Sequence, residues 1–102
     1  MKSAATILRQ LGIPQHRIGY TLLLKALPLY AQADTLLVTK ELYPLLAQQL
    51  GFSDWRSVEH AIREVIHWAW QHRNGEVWDR FFPGAGKAPS NKVFLAVIAE
   101  YL

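Results

Sequence analysis

Cysteine is missing from this 102-residue chain, so neither a disulfide framework nor a thiolate metal site is open to it, and the fold must hold by packing alone. That suits a reducing compartment. Glycine and proline number only six and five, and they gather only in Pro83–Ser90, a connection too short to separate domains. No internal repeat is present. No apolar run approaches the ~18 residues of a membrane span, because Leu22–Leu24 and Leu36–Val38 are interrupted by Lys25 and Lys40. The opening Met1–Thr6 leads into Arg9 and Gln10 without the apolar stretch of a secretion signal. These absences lead us to expect a cytoplasmic protein with no membrane partner. Charge of one sign is also scarce: a formal balance of +3 permits nucleic acid as a partner without demanding it.

What the chain does have is apolar material, 51% of its residues, enough for one core and too little for two. We therefore expect a single domain over residues 1–102. Its apolar positions recur at helical spacing. Ala4, Ile7, Leu8 and Leu11 predict a helix over Ser3–Leu11 that stops at Gly12. Pro14 then stands near the start of a second, over about Gln15–Gln32, with Ile18, Leu22, Leu23, Ala26, Leu29 and Tyr30 inward and Pro28 bending it. Thr39 reads as the N-cap of a third helix reaching Leu50, with Pro44 inside it and Gly51 ending it. After a tight turn over Gly51–Trp55, with Ser53 or Asp54 available as cap, the fourth helix runs from about Arg56 to His72. Val58, Ala61, Ile62, Val65, Trp68 and Ala69 should face the core, and Arg56, His60, Arg63, Glu64, His67 and Gln71 the other side. Shorter helices over about Glu76–Phe82 and Asn91–Tyr101, the last capped by Ser90 or Asn91, complete an all-α, compact six-helix domain.

The third and fourth helices, about residues 39–72, have the layout of a helix-turn-helix, in which the second helix lies in the major groove. Arg56, Ser57, His60 and Arg63 start that helix and line one side of it, where base edges and phosphates are reached, and Lys40 adds positive charge nearby. Glu59 suits a cytosine amino group, or equally an ion pair with Arg56 or Arg63 on the helix surface. His60, Glu64 and His67 share a face, but no HExxH pattern or second ligand cluster accompanies them, and we expect no metal. Phe82–Ser90, FPGAGKAPS, lacks the Gly-Lys-Ser/Thr ending of a phosphate loop. Nothing places a nucleophile beside a base, so neither an enzyme nor a cofactor is expected. Trp68 and Trp70 stand about 200° apart on their helix, so only one of them can join the core seam with the fifth or sixth helix.

Four runs together carry a resemblance: LGIPQHRIGY (Leu11–Tyr20), TKELYPLLA (Thr39–Ala47), VEHAIREVIHWAW (Val58–Trp70) and APSNKVFLA (Ala88–Ala96). In that order, and across nearly the whole chain, they resemble the C-terminal effector domain of the sporulation master response regulator, stage zero sporulation protein A. The resemblance implies six helices with an embedded helix-turn-helix and sequence-specific binding of duplex DNA in transcription regulation, in sporulation of endospore-forming Firmicutes. It also implies a nucleoid-associated location, a homodimer or tandem association on DNA, and contact with RNA polymerase. In the full regulator a phosphorylated receiver domain precedes this one. Only Met1–Ser3 precede the first helix here, so no receiver is expected in the chain, which is then either a fragment or a small relative without phosphorelay control.

The family's recognition helix opens with serine, arginine, valine, glutamate and arginine, and the arginines and glutamate read bases. This chain has Arg56, Ser57, Val58, Glu59 and His60 in the corresponding stretch: Glu59 is retained, while Ser57 and His60 stand in place of the arginines. The turn is one residue longer, through Phe52–Trp55, which lets Arg56 take over part of the lost role. Arg63 matches a family arginine, and Glu64 replaces a histidine. These departures keep a second reading open, a helical protein-interaction module that has lost DNA reading and modulates a related regulator. An exposed apolar patch at Trp70 or Trp78 would favour that module; a positive strip at Arg56 and Arg63 would favour DNA.

Overall fold

Polar side chains fix the starts of four helices in the computed structural model, which describes residues 2–33 and 37–102. Met1 and Leu36, used above, lie outside the described residues. Ser3 accepts from the Thr6 amide to start α1 (Ala4–Gln10), and Asp54 accepts from the Arg56 amide to start α4 (Trp55–Gln71). Asn74 and Ser90 do the same for α5 (Gly75–Phe81) and α6 (Asn91–Ala99). Each cap satisfies amides that the first helical turn leaves without a partner. Between these elements lie α2 (Ile18–Gln32) and α3 (Tyr43–Leu50), which complete the six α-helices among the described residues.

The third helix does not begin as its sequence suggests. Thr39 is not its cap; it lies inside a π-helical turn, Val38–Leu42, which precedes α3. Pro44 supplies the reason. A proline ring crowds the carbonyl four residues back and offers no amide to it. Widening the preceding turn relieves the crowding: the Leu42 amide donates to the Leu37 carbonyl at 3.0 Å, and the Tyr43 amide donates to Val38. The Leu37 amide, ahead of the turn, donates instead to the Glu41 carboxylate at 2.7 Å. At its far end α3 closes on Gly51, whose φ of +78° is open to glycine and strained for other residues.

Pro14 also sits differently. It belongs to the turn before α2, where its carbonyl accepts from the Arg17 amide, and Arg17 is the helix cap. Ile18 therefore falls on the first turn of α2 and is 50% exposed rather than inward, while Leu27 joins Leu22, Leu23 and Ala26 in the core. Leu29 and Tyr30 are half-buried.

α2 is the central element and packs against α4 and α6, while α3 packs against α4. Gly19 makes the first of these contacts close. A side chain there would run into the Ala61 carbonyl and into both methyls of Val65, the latter at 2.8 Å. On α4 the buried positions are Val58, Ile62, Val65, Ile66 and Ala69. Ala61 is only half-buried, and Trp68, expected inward, is 42% exposed. The inward stripe is narrower than the apolar spacing implied; Trp68 falls at its margin and stacks on His72, ring centroids 4.0 Å apart, instead of on the core. Trp70 is the tryptophan that reaches inward, meeting Trp78 of α5 edge-on at 5.5 Å.

A continuous apolar cluster draws on all six helices. Two polar ties cross it. The Trp78 Nε1–H donates to the Leu11 carbonyl at 3.0 Å, fixing α5 against the end of α1. Asn91, at the start of α6, donates from Nδ2 to the Tyr43 hydroxyl and to the Glu59 carbonyl, both at 3.0 Å. One side chain thus joins α6 to both helices of the helix-turn-helix. Burial pushes the Tyr43 phenol above its ordinary range, so it stays a neutral hydroxyl in this contact. Among the described residues, no helix is long and apolar enough to cross a membrane.

Candidate nucleic-acid interface

The four-residue turn 51–54 delivers α4 with its apolar stripe against α2 and α3 and its polar side outward. Arg56, Ser57, His60 and Arg63 are all exposed along that side, as the sequence suggests. Glu59 is half-buried at its edge. Lys40 is exposed on the π-helical turn, but no polar contact joins it to α4 among the described residues.

Most charges on this face are answered locally. Arg56 folds back on the cap: its Nη1 lies 3.2 Å from Asp54 Oδ2, and its guanidinium stands 5.0 Å over the Trp55 ring. Asp54 accepts from the Arg56 amide and then from its guanidinium, which holds the carboxyl below the usual range and keeps the cap ionised. Trp55 in turn stacks parallel to Tyr43, 6.2 Å between centroids, so the start of α4 is braced against α3.

Arg63 pairs with Glu59 one turn earlier at 3.5 Å. The sequence left Glu59 open between cytosine and such a pair, and in the free protein the pair is formed. An exposed i,i+4 pair of this kind is worth only about 0.3–0.5 kcal/mol, so phosphate or a base edge can displace the carboxylate. Glu64 is partly neutralised from an unforeseen direction, since Arg17 at the start of α2 reaches it at 2.8 Å. His60 Nε2 lies 3.6 Å from the other Glu64 oxygen.

Further cations escaped the sequence reading. Lys87 and Lys92 line a groove of about 410 Å³ together with Thr39, Glu59, Arg63 and His67. The stretch before α6 reads as a plain connection in sequence, and its Ser90 cap acts only within its own helix, so nothing local places it beside α4.

The apolar patch that would favour an interaction module is largely closed off. Trp78 is 2% exposed, and Trp70 is half-buried against it with the Arg73 guanidinium 3.7 Å over its ring. Compared with known protein families, residues 4–102 match the family described as sporulation initiation factor Spo0A, C terminal.

Proposed function

The chain belongs to the Spo0A C-terminal family, and from that premise we propose that α4 enters the major groove of duplex DNA with its N-terminal half foremost. Family membership makes the chain a DNA-binding, non-catalytic domain of transcription regulation, of the kind that acts in sporulation. The finer reading concerns which side chains touch DNA and how. Arg56 and Arg63 meet phosphates or base edges, Ser57 donates to phosphate, and Glu59 and His60 contact bases from the next turn. Lys40, ahead of α3, lends positive charge to the approach.

The observation that carries this reading is the division of α4 into a buried stripe and an open polar face. The side chains of Arg56 and Arg63 are 72% and 51% exposed on that open face. Serine is too short to span the two acceptors of guanine, and neutral histidine offers only one donor, so guanine recognition rests on the arginines. In this reading residues 1–102 act as one effector unit. Paired copies on adjoining half-sites and contact with RNA polymerase would use surfaces other than the open face of α4.

A duplex selected by the protein from a random library, compared with its scrambled sequence across a salt series, tests this. Affinity for both should fall as salt rises. Arg63→Gln is expected to lower the salt slope by about 0.9 if it meets phosphate, or to cost about 1–3 kcal/mol of discrimination if it reads a base. Should selection enrich no duplex that binds at low salt, or should Arg63→Gln bind and discriminate like the parent, the proposed orientation of α4 is wrong.

A further inference from the structure

We infer that the groove between α4 and the start of α6 is a second DNA contact, where Lys87 and Lys92 hold a backbone phosphate flanking the base pairs that α4 reads. The inference rests on the proposed function and adds a separate set of residues to it. Its first ground is charge. Arg17, Arg56 and Arg63 each have a carboxylate partner, whereas Lys87 and Lys92 are exposed and make no ion pair among the described residues.

The second ground is where Lys92 sits. It occupies the first turn of the nine-residue α6, which carries no acidic residue there. The positive end of a helix disfavours a cation, so the isolated fold gains nothing from an ammonium at this position. An anion bound outside reverses that sign, because the lysines, Arg63 and the helix end then act on it together.

The third ground is shape. Arg63 lines this groove of about 410 Å³ and also stands on the open face of α4, so a ligand in the groove lies beside whatever α4 contacts. When a helix enters the major groove, what lies beside it is the sugar-phosphate backbone. Asn91 shows a consistent detail. It lines the groove, is only 8% exposed, and its Oδ1 lacks a partner. That oxygen is the one buried side-chain polar atom left without a partner among the described residues.

Phosphate contacts position a protein on DNA without reading sequence, so removing them has a distinctive signature. The selected and scrambled duplexes should be titrated across the same salt series with the parent, Arg63→Gln and the double variant Lys87→Gln/Lys92→Gln. The double variant is expected to weaken both duplexes alike, to lower the salt slope by about 0.9 for each lysine on phosphate, and to leave the ratio of the two affinities unchanged. Its Tm should equal or exceed the parent's, since a cation leaves the positive end of α6. A parental salt slope in the double variant, with Arg63→Gln still impaired, overturns the groove contact and leaves the α4 reading intact. A changed ratio also overturns it, by making the lysines base readers. Parental binding by both variants overturns both readings.

Discussion

Trp78→Ala is expected to cost about 3–5 kcal/mol of folding stability, the range for deleting a large aromatic side chain from a core. Trp78 is 2% exposed and lies among Trp70, Phe82 and Phe94 at centroid distances of 5.5, 5.4 and 6.4 Å. The cavity left behind would open beneath the seven-residue α5, whose other buried side chain is Phe81. The lost indole N–H would also leave the Leu11 carbonyl without its donor. Trp78→Phe separates the two effects. It keeps most of the volume and loses the hydrogen bond, so a smaller loss of about 1–3 kcal/mol is expected. Denaturant unfolding measures both. A loss below 1 kcal/mol for the alanine variant would mean that α5 does not anchor the fold.

Gly19→Ala should also be damaging although it adds a single methyl. The new carbon meets the Ala61 carbonyl, which is helix backbone and cannot rotate away, and both Val65 methyls at 2.8 Å. α2 and α4 would have to move apart along their whole contact. Overpacking of this kind costs about 1–3 kcal/mol, and in a domain of this size each kcal/mol lowers Tm by about 4–8 °C. Because α4 is the displaced element, DNA affinity should fall as well. A thermal melt that matches the parent would show that the two helices are not packed as closely as described.

The helix count and most helix ends were legible because caps are local. Asp54 and Ser90 each sit one residue before their helix, and a short polar side chain at that place acts within its own turn. Thr39 has the same chemistry and misled, because the backbone around it is set five residues later by Pro44. The inward assignment of Trp68 failed for another reason. Periodicity marks a face, but the width of the buried stripe depends on which neighbours cover it, and on α4 that leaves Ile66 inside and Trp68 out.

At the candidate interface, the α4 residues were visible because they share one helix. Arg17 and Lys87 were not, since they lie 47 and 24 positions from their counterparts Glu64 and Arg63. Only the fold brings such residues together. Glu64 shows the difference this makes: in sequence it subtracts positive charge from the reading face, whereas in the structure Arg17 answers much of it.

The central claim is that the outer side of α4 meets duplex DNA. Mapping amide and side-chain shifts of the isotope-labelled protein during titration with the selected duplex tests it directly. Shifts are expected to concentrate at Arg56, Ser57, His60 and Arg63, with a second group at Lys87 and Lys92. Shifts gathered instead at Glu76, Arg80 and Tyr101, with residues 54–63 unmoved, would contradict the account.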